Sequence, residues 1–516
     1  MTSVLLPSRD PDRMAVFESE LFESGTARLL RTLLWEGMLH RPGEPRGLTQ
    51  TDAAKRAAIS RPSVTNYKRD LPASLFVDDG QLALADTAGY ALGVDLGRTH
   101  AVKVALVNIR GEICEDLNKK DAVEPPRDPE DPDYLSPAEF DAAELGLDMN
   151  AAISKAVKRI LKLLERCGRK PHELVGIGVG LPTPSSGPSP SEAAIGNWRL
   201  RDPAKALRDA LQAADPVNKS AWAAIDIAVD NDTNLSAITD HLWGTESASD
   251  TIFIKWMAGL RVALILDGWL YRGPSRAAGG LPHLKLESDK TRSGGSDAVA
   301  EDSDTDPEDN GRECDIGCRV GPGCLYGAAP IELLREFVNT QRGPDAEEIY
   351  SAREIMEAAH DDPVIFAHLE MIANAIGRAV APIATALNPQ LIVMGGAVGA
   401  SAFPVILESF ATGFENEAPN LKLGAPDGSR QAGDGSVIVT RSTSRHLTTV
   451  RGAAALALIE FGTGFLLDHE SRLVTLPRAA ASGSGRATAR PTPGHSAAAR
   501  VGSGSSSGAR RRPKGP

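Results

Sequence analysis

The spacing of apolar and polar positions divides the chain of 516 residues into a small N-terminal module and a larger body. Residues 1–16 show no apolar periodicity, so we expect this segment to be disordered. Residues 17–88 show short helical patterns followed by one alternating hairpin, whereas residues 89–465 alternate strands with helices. The pattern therefore predicts a small helical module ahead of an α/β body.

Two polar stretches stand apart from this pattern. Residues 287–313 contain ten acidic and three basic side chains, so we expect an acidic, disordered loop within the body. Residues 478–516 are rich in Ala, Gly, Ser and Pro and carry eight basic and no acidic residues, which predicts a disordered tail. This tail either adds nonspecific DNA affinity or is merely solvated.

The N-terminal module has the pattern of a winged helix-turn-helix. Thr49 and Ser60 are suited to cap two successive helices, and Val64 lies on the buried side of the second one. The opposite side presents the candidate DNA contacts, which are Arg61, Ser63, Thr65, Asn66, Lys68 and Arg69. The alternating stretch 75–86 around an Asp-Gly turn predicts the wing.

The alternative for this module is a helical docking unit whose basic face is only solvated. The whole chain has a formal net charge of −12, so any DNA contact must come from a local basic surface. Residues 46–70 provide one, with six basic and two acidic side chains. Together with the capped second helix and the hairpin, this excess favours DNA binding.

The body contains candidate phosphate-binding residues. Asp95, Gly97 and Thr99 lie in a strand-turn-strand pattern, and Gly395 and Gly396 directly follow a buried strand. Glycine at such turns lets backbone N–H groups approach phosphate oxygens. Each pattern alone is also typical of an ordinary turn.

A candidate hydroxyl-binding pair begins another predicted helix of the body. Asn231 and Asp232 follow a short strand, and a carboxylate in that position can orient a hydroxyl and accept its proton. The alternative is that both residues only cap the helix.

Several motifs of the chain occur together in one known family. In chain order they are DLGRT, GVGLPTP, NDTN, DGWLYRG, AGGLPH, GCL, LNPQLIVMGGAV and RGAAALAL. Residues 26–460 thereby resemble the ROK family of repressors and sugar kinases. The resemblance implies an α/β, actin-like (ribonuclease H-like) two-lobed ATPase/sugar-kinase fold with lobes of about 89–235 and 236–465. A winged helix-turn-helix domain over residues 17–88 would precede it.

The resemblance also implies roles for residues of the body. Asp232 would be the catalytic base for a sugar hydroxyl, and Asn231 and His283 would contact the ligand. However, Gly280 and Tyr326 stand where the family has sugar-contacting glutamates, and each lost charge-assisted hydrogen bond is worth about 1.5–3 kcal/mol.

The phosphate loops depart from the family as well. The second loop, normally glycine-rich, is Met257–Ala263 with a single glycine, and Arg98 replaces a glycine of the first loop. Bulky side chains there obstruct close backbone approach to a phosphate. We therefore expect neither ATP nor Mg²⁺ as a cofactor, and a vestigial or ligand-binding role for Asp232.

Three of the five cysteines lie within eleven residues, which indicates a metal site rather than a disulfide framework. The family resemblance implies a structural zinc bound by one histidine and three cysteines, and the candidates here are His283, Cys314, Cys318 and Cys324. Their spacing, C-x3-C-x5-C, differs from the family's usual C-x-C-x4-C. The alternative is three free cysteines.

These observations predict a cytoplasmic, DNA-binding transcriptional regulator that senses a carbohydrate or a sugar phosphate. We expect a homodimer or homotetramer, since two-fold assemblies match paired half-sites on DNA. The N-terminus lacks a secretory signal, and no apolar run reaches the roughly 18–20 residues of a membrane span. The alternatives are an ATP-dependent, glucokinase-like sugar kinase and a ligand-independent DNA-binding oligomer.

Overall fold

The computed structural model covers both predicted parts of the chain. It describes residues 3–7, 24–41, 44, 46–78, 81–96, 102–116, 149–182, 202–257, 259–274, 276, 278–281, 284, 324–349, 351–426, 428, 430–431, 433, 435–443 and 447–468. The chain divides into one compact unit over Met1–Leu473 and a second over Val474–Pro516. The second unit lies outside the described residues, as do the predicted acidic loop 287–313 and tail 478–516.

The N-terminal part forms one strand, three helices and a hairpin. These are β1 (Ser3–Leu5), α1 (Gly25–Leu39), α2 (Gln50–Arg56), α3 (Arg61–Asp70), β2 (Phe76–Asp78) and β3 (Leu82–Leu84). Thr49 and Ser60 cap α2 and α3 by accepting backbone N–H bonds, as predicted. The two capped helices and the antiparallel hairpin thus occur where the sequence predicts them.

The first lobe contains a mixed five-stranded sheet with helices on one face. Its strands are β4 (Tyr90–Asp95), β5 (Lys103–Asn108), β6 (Ile113–Asp116), β7 (Leu174–Leu181) and β8 (Ile227–Asn231), in the order β6-β5-β4-β7-β8. The covering helices are α4 (Met149–Cys167), α5 (Pro203–Ala214) and α6 (Lys219–Ala224). These helices and the sheet share one apolar core.

The second lobe is entered through α7 (Asp232–Trp243) and left through α13 (Thr448–Leu467). Its remaining elements are β9 (Thr251–Trp256), β10 (Leu260–Leu266), β11 (Trp269–Tyr271), α8 (Leu325–Ala328), α9 (Ile331–Arg342), α10 (Ala352–Asp361), α11 (Pro363–Leu387), β12 (Leu391–Gly395), α12 (Gly396–Glu417), β13 (Leu423–Gly424) and β14 (Val437–Arg441). The sheet has the order β1-β11-β10-β9-β12-β14-β13. α9 to α12 share an apolar core with this sheet.

The expectation that residues 1–16 are disordered is wrong for residues 3–7. β1 pairs antiparallel with β11, with Val4 opposite Leu270, and so forms the edge strand of the second sheet. The Leu6 N–H donates to the carbonyl of Gly268 at 3.0 Å, and the Leu6 side chain is fully buried. A strand of three residues is too short to show a period, so the pattern could not predict it.

The predicted boundary between the lobes is also wrong at the C-terminal end. Residues 236–465 were expected to form the second lobe, yet α13 crosses the sheet of the first lobe. A Cβ atom on Gly93 or Gly178 would overlap the carbonyl oxygen of Val450 or Ala453 on α13. Because only glycine permits this approach, the two strands and the helix pack backbone against backbone.

The N-terminal module does not have a core of its own. Apolar residues of α1, α7 and α13 form one cluster with residues of both large sheets. Leu34 of α1 packs beside Gly462 of α13, where a Cβ atom would lie 2.6 Å from the leucine methyl group. The module is therefore docked on the body through α1.

Three helices are long and apolar enough to cross a membrane by length and composition alone, which differs from the expectation that no such stretch exists. They are α11, α12 and α13, and 56%, 61% and 67% of their most apolar windows are buried inside the fold. A helix that is apolar on most sides is typical of the core of a large protein as well as of a membrane span.

An acidic and a basic side chain, Asp240 and His241, are buried next to each other in the last turn of α7. Burial raises the pKa of Asp240 to about 6, against the effect of the Ser442 hydroxyl, which donates to its carboxylate at 2.6 Å. Burial lowers the pKa of His241 to about 4, against the effect of the Pro7 carbonyl, 3.1 Å from Nε2.

We expect Gly452→Ala, in α13, to lower the free energy of unfolding by about 1–3 kcal/mol, because the added methyl group would overlap the carbonyl oxygen of Leu235. The matched control is Gly464→Ala in the same helix, where nothing lies within 4 Å of the new Cβ atom. That substitution should raise the free energy of unfolding by about 0.5–1 kcal/mol. Urea denaturation of both variants measures the difference, and equal effects would contradict the proposed close crossing.

We expect Asp240→Asn to steepen the rise of stability with pH. Between pH 4 and 6 the native state holds the Asp240 proton more tightly than the unfolded chain, so this group makes stability fall as the pH rises. His241 acts in the opposite sense between pH 4 and 6.5, because the unfolded chain binds its proton more tightly. Removing Asp240 leaves the histidine unopposed.

The measurement is the free energy of unfolding in urea at several values between pH 4.5 and 5.5. The slope of the variant should exceed that of the wild type by about 1 kcal/mol per pH unit. Parallel curves for the two proteins would show that Asp240 is not protonated as its burial requires.

Candidate functional site

The candidate ligand site lies where β8 passes into α7. The side-chain oxygen of Asn231 accepts the Thr233 N–H at 2.9 Å and so caps the helix, while its amide group donates to the Leu181 carbonyl at 3.4 Å. Asn231 is buried. Asn231 therefore has the capping role that the sequence left open.

Asp232 forms an ion pair with a residue that the sequence did not single out. The Lys255 ammonium, on β9 of the second lobe, donates to Oδ2 of Asp232 at 2.8 Å and to the Thr449 hydroxyl of α13 at 3.2 Å. The side chain of Lys255 is 8% exposed and that of Asp232 is 21% exposed. The other oxygen of Asp232, Oδ1, accepts the Thr233 hydroxyl at 3.3 Å.

This arrangement limits what Asp232 can do chemically. An ammonium group on one carboxylate oxygen competes with a substrate hydroxyl for that oxygen. Oδ1 remains able to accept a hydrogen bond from a ligand hydroxyl. The carboxylate is therefore better suited to bind a ligand than to remove a proton from it.

A second buried ion pair supports the same strand end. The Arg272 guanidinium donates through Nε to Oδ2 of Asp230 at 2.5 Å, and Asn234 donates to Oδ1 of Asp230 at 2.8 Å. Arg272 also reaches Glu460 of α13 at 3.5 Å. Arg272 lies within the motif DGWLYRG, but no sequence signal links it to Asp230, because the partners are 42 residues apart.

Asp95, at the end of β4, lies beside this site. A Cβ atom on Gly180 would meet Asp95 Oδ1 at 3.6 Å and Thr449 Cγ2 at 2.8 Å. Asp95, Gly180 and Thr449 thus meet near the first turn of α13. Gly97 and Thr99, the other members of the predicted phosphate loop, lie outside the described residues, as does Arg98.

Gly395 and Gly396 have a structural reason to be glycine. Gly396 has φ +81°, and a Cβ atom there would overlap the Trp256 carbonyl oxygen of β9. A Cβ atom on Gly395 would overlap the ring of Phe253. Packing of α12 against β9 therefore accounts for both residues without a nucleotide.

The segment expected to have lost its phosphate-binding role is an ordinary antiparallel pair. The N–H of Met257 donates to the Gly259 carbonyl at 3.0 Å, and Arg261 of β10 stands opposite Lys255 of β9. The side chains of Val262 and Ala263 are buried in the lobe.

Tyr326 stands where the family has a glutamate, and it makes a different kind of contact. Its hydroxyl donates to the Leu281 carbonyl at 3.2 Å and accepts the Leu281 N–H at 2.9 Å. The tyrosine thus holds the loop 278–281 that carries Gly280, the position of the other lost glutamate. The described part of this loop contains no carboxylate.

Of the four candidate zinc ligands, the structure describes only Cys324. It is buried and directly precedes α8. His283, Cys314 and Cys318 lie outside the described residues, and among those that are described no group of three or more His, Cys, Asp or Glu side chains could hold a metal. The zinc site therefore stays a prediction, as does the contact of His283 with a ligand.

The candidate DNA contacts share the outer side of α3. Val64 is fully buried on the inner side, whereas Arg61, Thr65, Asn66 and Arg69 are exposed. Lys68 and Ser63 are half-buried. The Ser63 hydroxyl lies 2.7 Å from that of Ser60, so it also takes part in the helix cap.

Comparisons with known proteins agree with this architecture. A solved ROK family transcriptional regulator, described as a homolog of the E. coli MLC protein, matches with a TM-score of 0.56 and 18% identity over 87% of this chain and 100% of its own. The xylose repressors of Bacillus subtilis and Bacillus spizizenii are each 21% identical over 335 residues, 62% of this chain and 67% of theirs. A glucokinase of Halalkalibacterium halodurans is 26% identical over 209 residues, 39% of this chain and 57% of its own.

The family model described as ROK family matches residues 148–459. This range is more than half of the chain and contains both Asp232 and Lys255. The two lobes therefore have the actin-like sugar-kinase fold of these proteins. The protein belongs to the ROK family.

Proposed function

We propose that the protein is a DNA-binding transcriptional regulator whose sugar-kinase-like body senses a carbohydrate-like ligand. The observation that carries this proposal is the capped pair α2 and α3, with the exposed polar side of α3 next to the hairpin β2–β3. A second helix with such a face is suited to the major groove, and a hairpin beside it is suited to a flanking contact. Relatives that are repressors support this function.

The electrostatics of the module fit a local DNA contact within an acidic protein. Arg61 and Arg69 are exposed at the two ends of α3, and Lys68 lies one residue before Arg69. Asp52 is the only acidic residue on α2, where its carboxylate accepts the Thr49 hydroxyl at 2.6 Å. On α3 the acidic residue is Asp70, which pairs with Arg69 at 3.3 Å, so Arg61 and Lys68 are the basic side chains best placed for phosphate contacts.

The body is proposed to bind a ligand without phosphorylating it. Lys255 neutralises the carboxylate that would act as the base, and Gly280 and Tyr326 supply no charged acceptor for sugar hydroxyls. Loss of the glycine-rich segment at Met257–Ala263 removes one phosphate cradle. These features disfavour the alternative that the protein is a sugar kinase. The similarity to a glucokinase is the observation that favours this alternative.

We further propose that the regulator acts in the cytoplasm as a homodimer or homotetramer. Two copies of the module would place two α3 helices on successive half-sites about one DNA turn apart. A change in the arrangement of the two lobes would then alter the spacing of the modules and the affinity for DNA. D-Xylose is the first probe, because two relatives are xylose repressors.

We also propose a structural zinc bound by His283, Cys314, Cys318 and Cys324. Three thiolates and one imidazole suit tetrahedral zinc in a closed site. The buried position of Cys324 at the start of α8 is compatible with a ligand held away from water. Bound zinc would fix the loop and take no part in chemistry.

We expect the purified protein to capture discrete fragments from the genome of its source, and Arg61→Ala/Lys68→Ala to abolish this enrichment. Loss of two phosphate contacts should also reduce the slope of log affinity against log salt by about 1.8. The matched control is Lys158→Ala/Lys162→Ala, which removes two exposed charges from α4 of the body. Equal enrichment by all three proteins would exclude α3 as the DNA recognition helix.

Zinc is tested by measuring metal content after purification without added metal. We expect about one zinc per chain, and loss of this zinc in Cys324→Ser. Cys167→Ser, on α4 of the first lobe, is the control and should keep the metal. A wild-type protein that is folded, reduced and free of zinc would contradict the proposed site.

A further inference from the structure

One helix of the fold reaches from the candidate ligand site to the N-terminal module. α7 begins with Asp232, which is paired with Lys255, and ends at Trp243. Twelve residues of α-helix span about 18 Å. Every residue of α7 from Thr233 to Leu242 is buried, so the helix has packed neighbours along its whole length.

The last turn of α7 holds the N-terminal module by side-chain hydrogen bonds. The Trp243 indole N–H donates to the Met38 carbonyl at the end of α1, at 2.8 Å. The Arg41 guanidinium, just beyond α1, donates to the Gly244 carbonyl at 3.1 Å. The exit of α1 towards the two DNA-binding helices is thus fixed to the end of α7.

The same turn also holds the chain ahead of α1. His241 donates through Nε2 to the Pro7 carbonyl at 3.1 Å. Pro7 lies two residues after β1, which pairs with β11 in the second lobe. The α7 end therefore contacts the chain on both sides of the first module helix.

The Trp243 ring has little room to move independently of the body. The Arg451 guanidinium of α13 stacks on it at 3.5 Å from the ring centroid and donates to the Gly111 carbonyl at 3.1 Å. A Cβ atom on Gly111 would lie 2.5 Å from the indole ring. The indole thus joins the end of α7 to α1, to α13 and to the turn between β5 and β6.

The first turn of α7 is held in place by β9 and α13. Lys255 lies on β9, whose neighbours in the sheet are β10 and β12. The Ser236 hydroxyl of α7 and the Thr449 hydroxyl of α13 are 3.2 Å apart, and Thr449 accepts from Lys255 as well. A ligand that binds Asp232 or Lys255 competes for the contact that fixes α7 relative to β9.

We propose that α7 transmits ligand binding to the DNA-binding module, with Lys255 and Trp243 as positioning residues at its two ends. Breaking the Asp232–Lys255 pair removes one of the contacts that hold the first turn of α7, and a resulting displacement of the helix moves the exit of α1 through Trp243 and Gly244. This inference rests on the proposed regulator function and adds the path by which the ligand site acts. It requires two arrangements of α7 that DNA and ligand stabilise differently.

The test is a double-mutant cycle in DNA affinity on a captured fragment. Lys255→Met removes the ion pair while keeping an unbranched side chain, and it should change the dissociation constant by about fivefold or more. Trp243→Phe removes the bond to Met38 and keeps an aromatic ring under Arg451. In this background the effect of Lys255→Met should fall below about twofold.

Trp222→Phe is the matched control, because it also removes a buried indole hydrogen bond, to Asp215 at 2.9 Å, but on α6. The effect of Lys255→Met should persist in this background. An effect that persists equally in the Trp243→Phe background, or that is absent from the single Lys255→Met variant, would overturn the proposal.

Hydrogen exchange of residues 24–41 gives a readout without DNA and without ligand. Lys255→Met should change exchange rates in α1 when it is combined with Trp222→Phe, but not when it is combined with Trp243→Phe. Unchanged α1 rates in every Lys255→Met variant would overturn the coupling. If the wild type captures no DNA, the proposed regulator function fails, and the exchange measurement still decides whether α7 couples the two sites.

Discussion

The close crossing of α13 over the first sheet is the constraint on which the other contacts depend. Glycine at positions 93, 178 and 452 lets backbone atoms of two strands and of α7 touch this helix. The crossing brings Thr449 to the ion pair of Asp232 at one end. At the other end Gly462 receives Leu34 of α1. The position of this one helix thus determines both the candidate site around Asp232 and the surface on which the N-terminal module packs.

The Asp232–Lys255 pair suggests how a kinase-like site can serve regulation. A catalytic base needs a free carboxylate, whereas here an almost buried ammonium from β9 occupies one of its oxygens. Breaking such a pair without replacing a partner is costly, because a buried charge is left uncompensated. A ligand that replaces one partner of the Asp232–Lys255 pair would therefore remove this cost and allow the arrangement of the lobes to change.

Much of the fold could be predicted from the sequence, because capping residues, strand patterns and family motifs are local signals. The helices α2 and α3, the hairpin and the strand that ends at Asp95 occur as predicted. The contacts that define the site are not local: Lys255 meets Asp232 across 23 residues, and Trp243 meets Met38 across 205. The edge strand β1 depends on pairing with β11, which a three-residue pattern cannot reveal.

The most direct test of the account measures the affinity of the protein for a captured DNA fragment against a panel of neutral sugars, sugar acids and sugar phosphates, in the absence of ATP. D-Xylose is included because of the xylose repressor relatives. The account predicts that one class of compound changes the affinity by about fivefold or more, and that Asp232→Asn removes this response. No response to any compound, together with ATP-dependent phosphorylation of a sugar that Asp232→Asn abolishes, would show that the body is a working kinase.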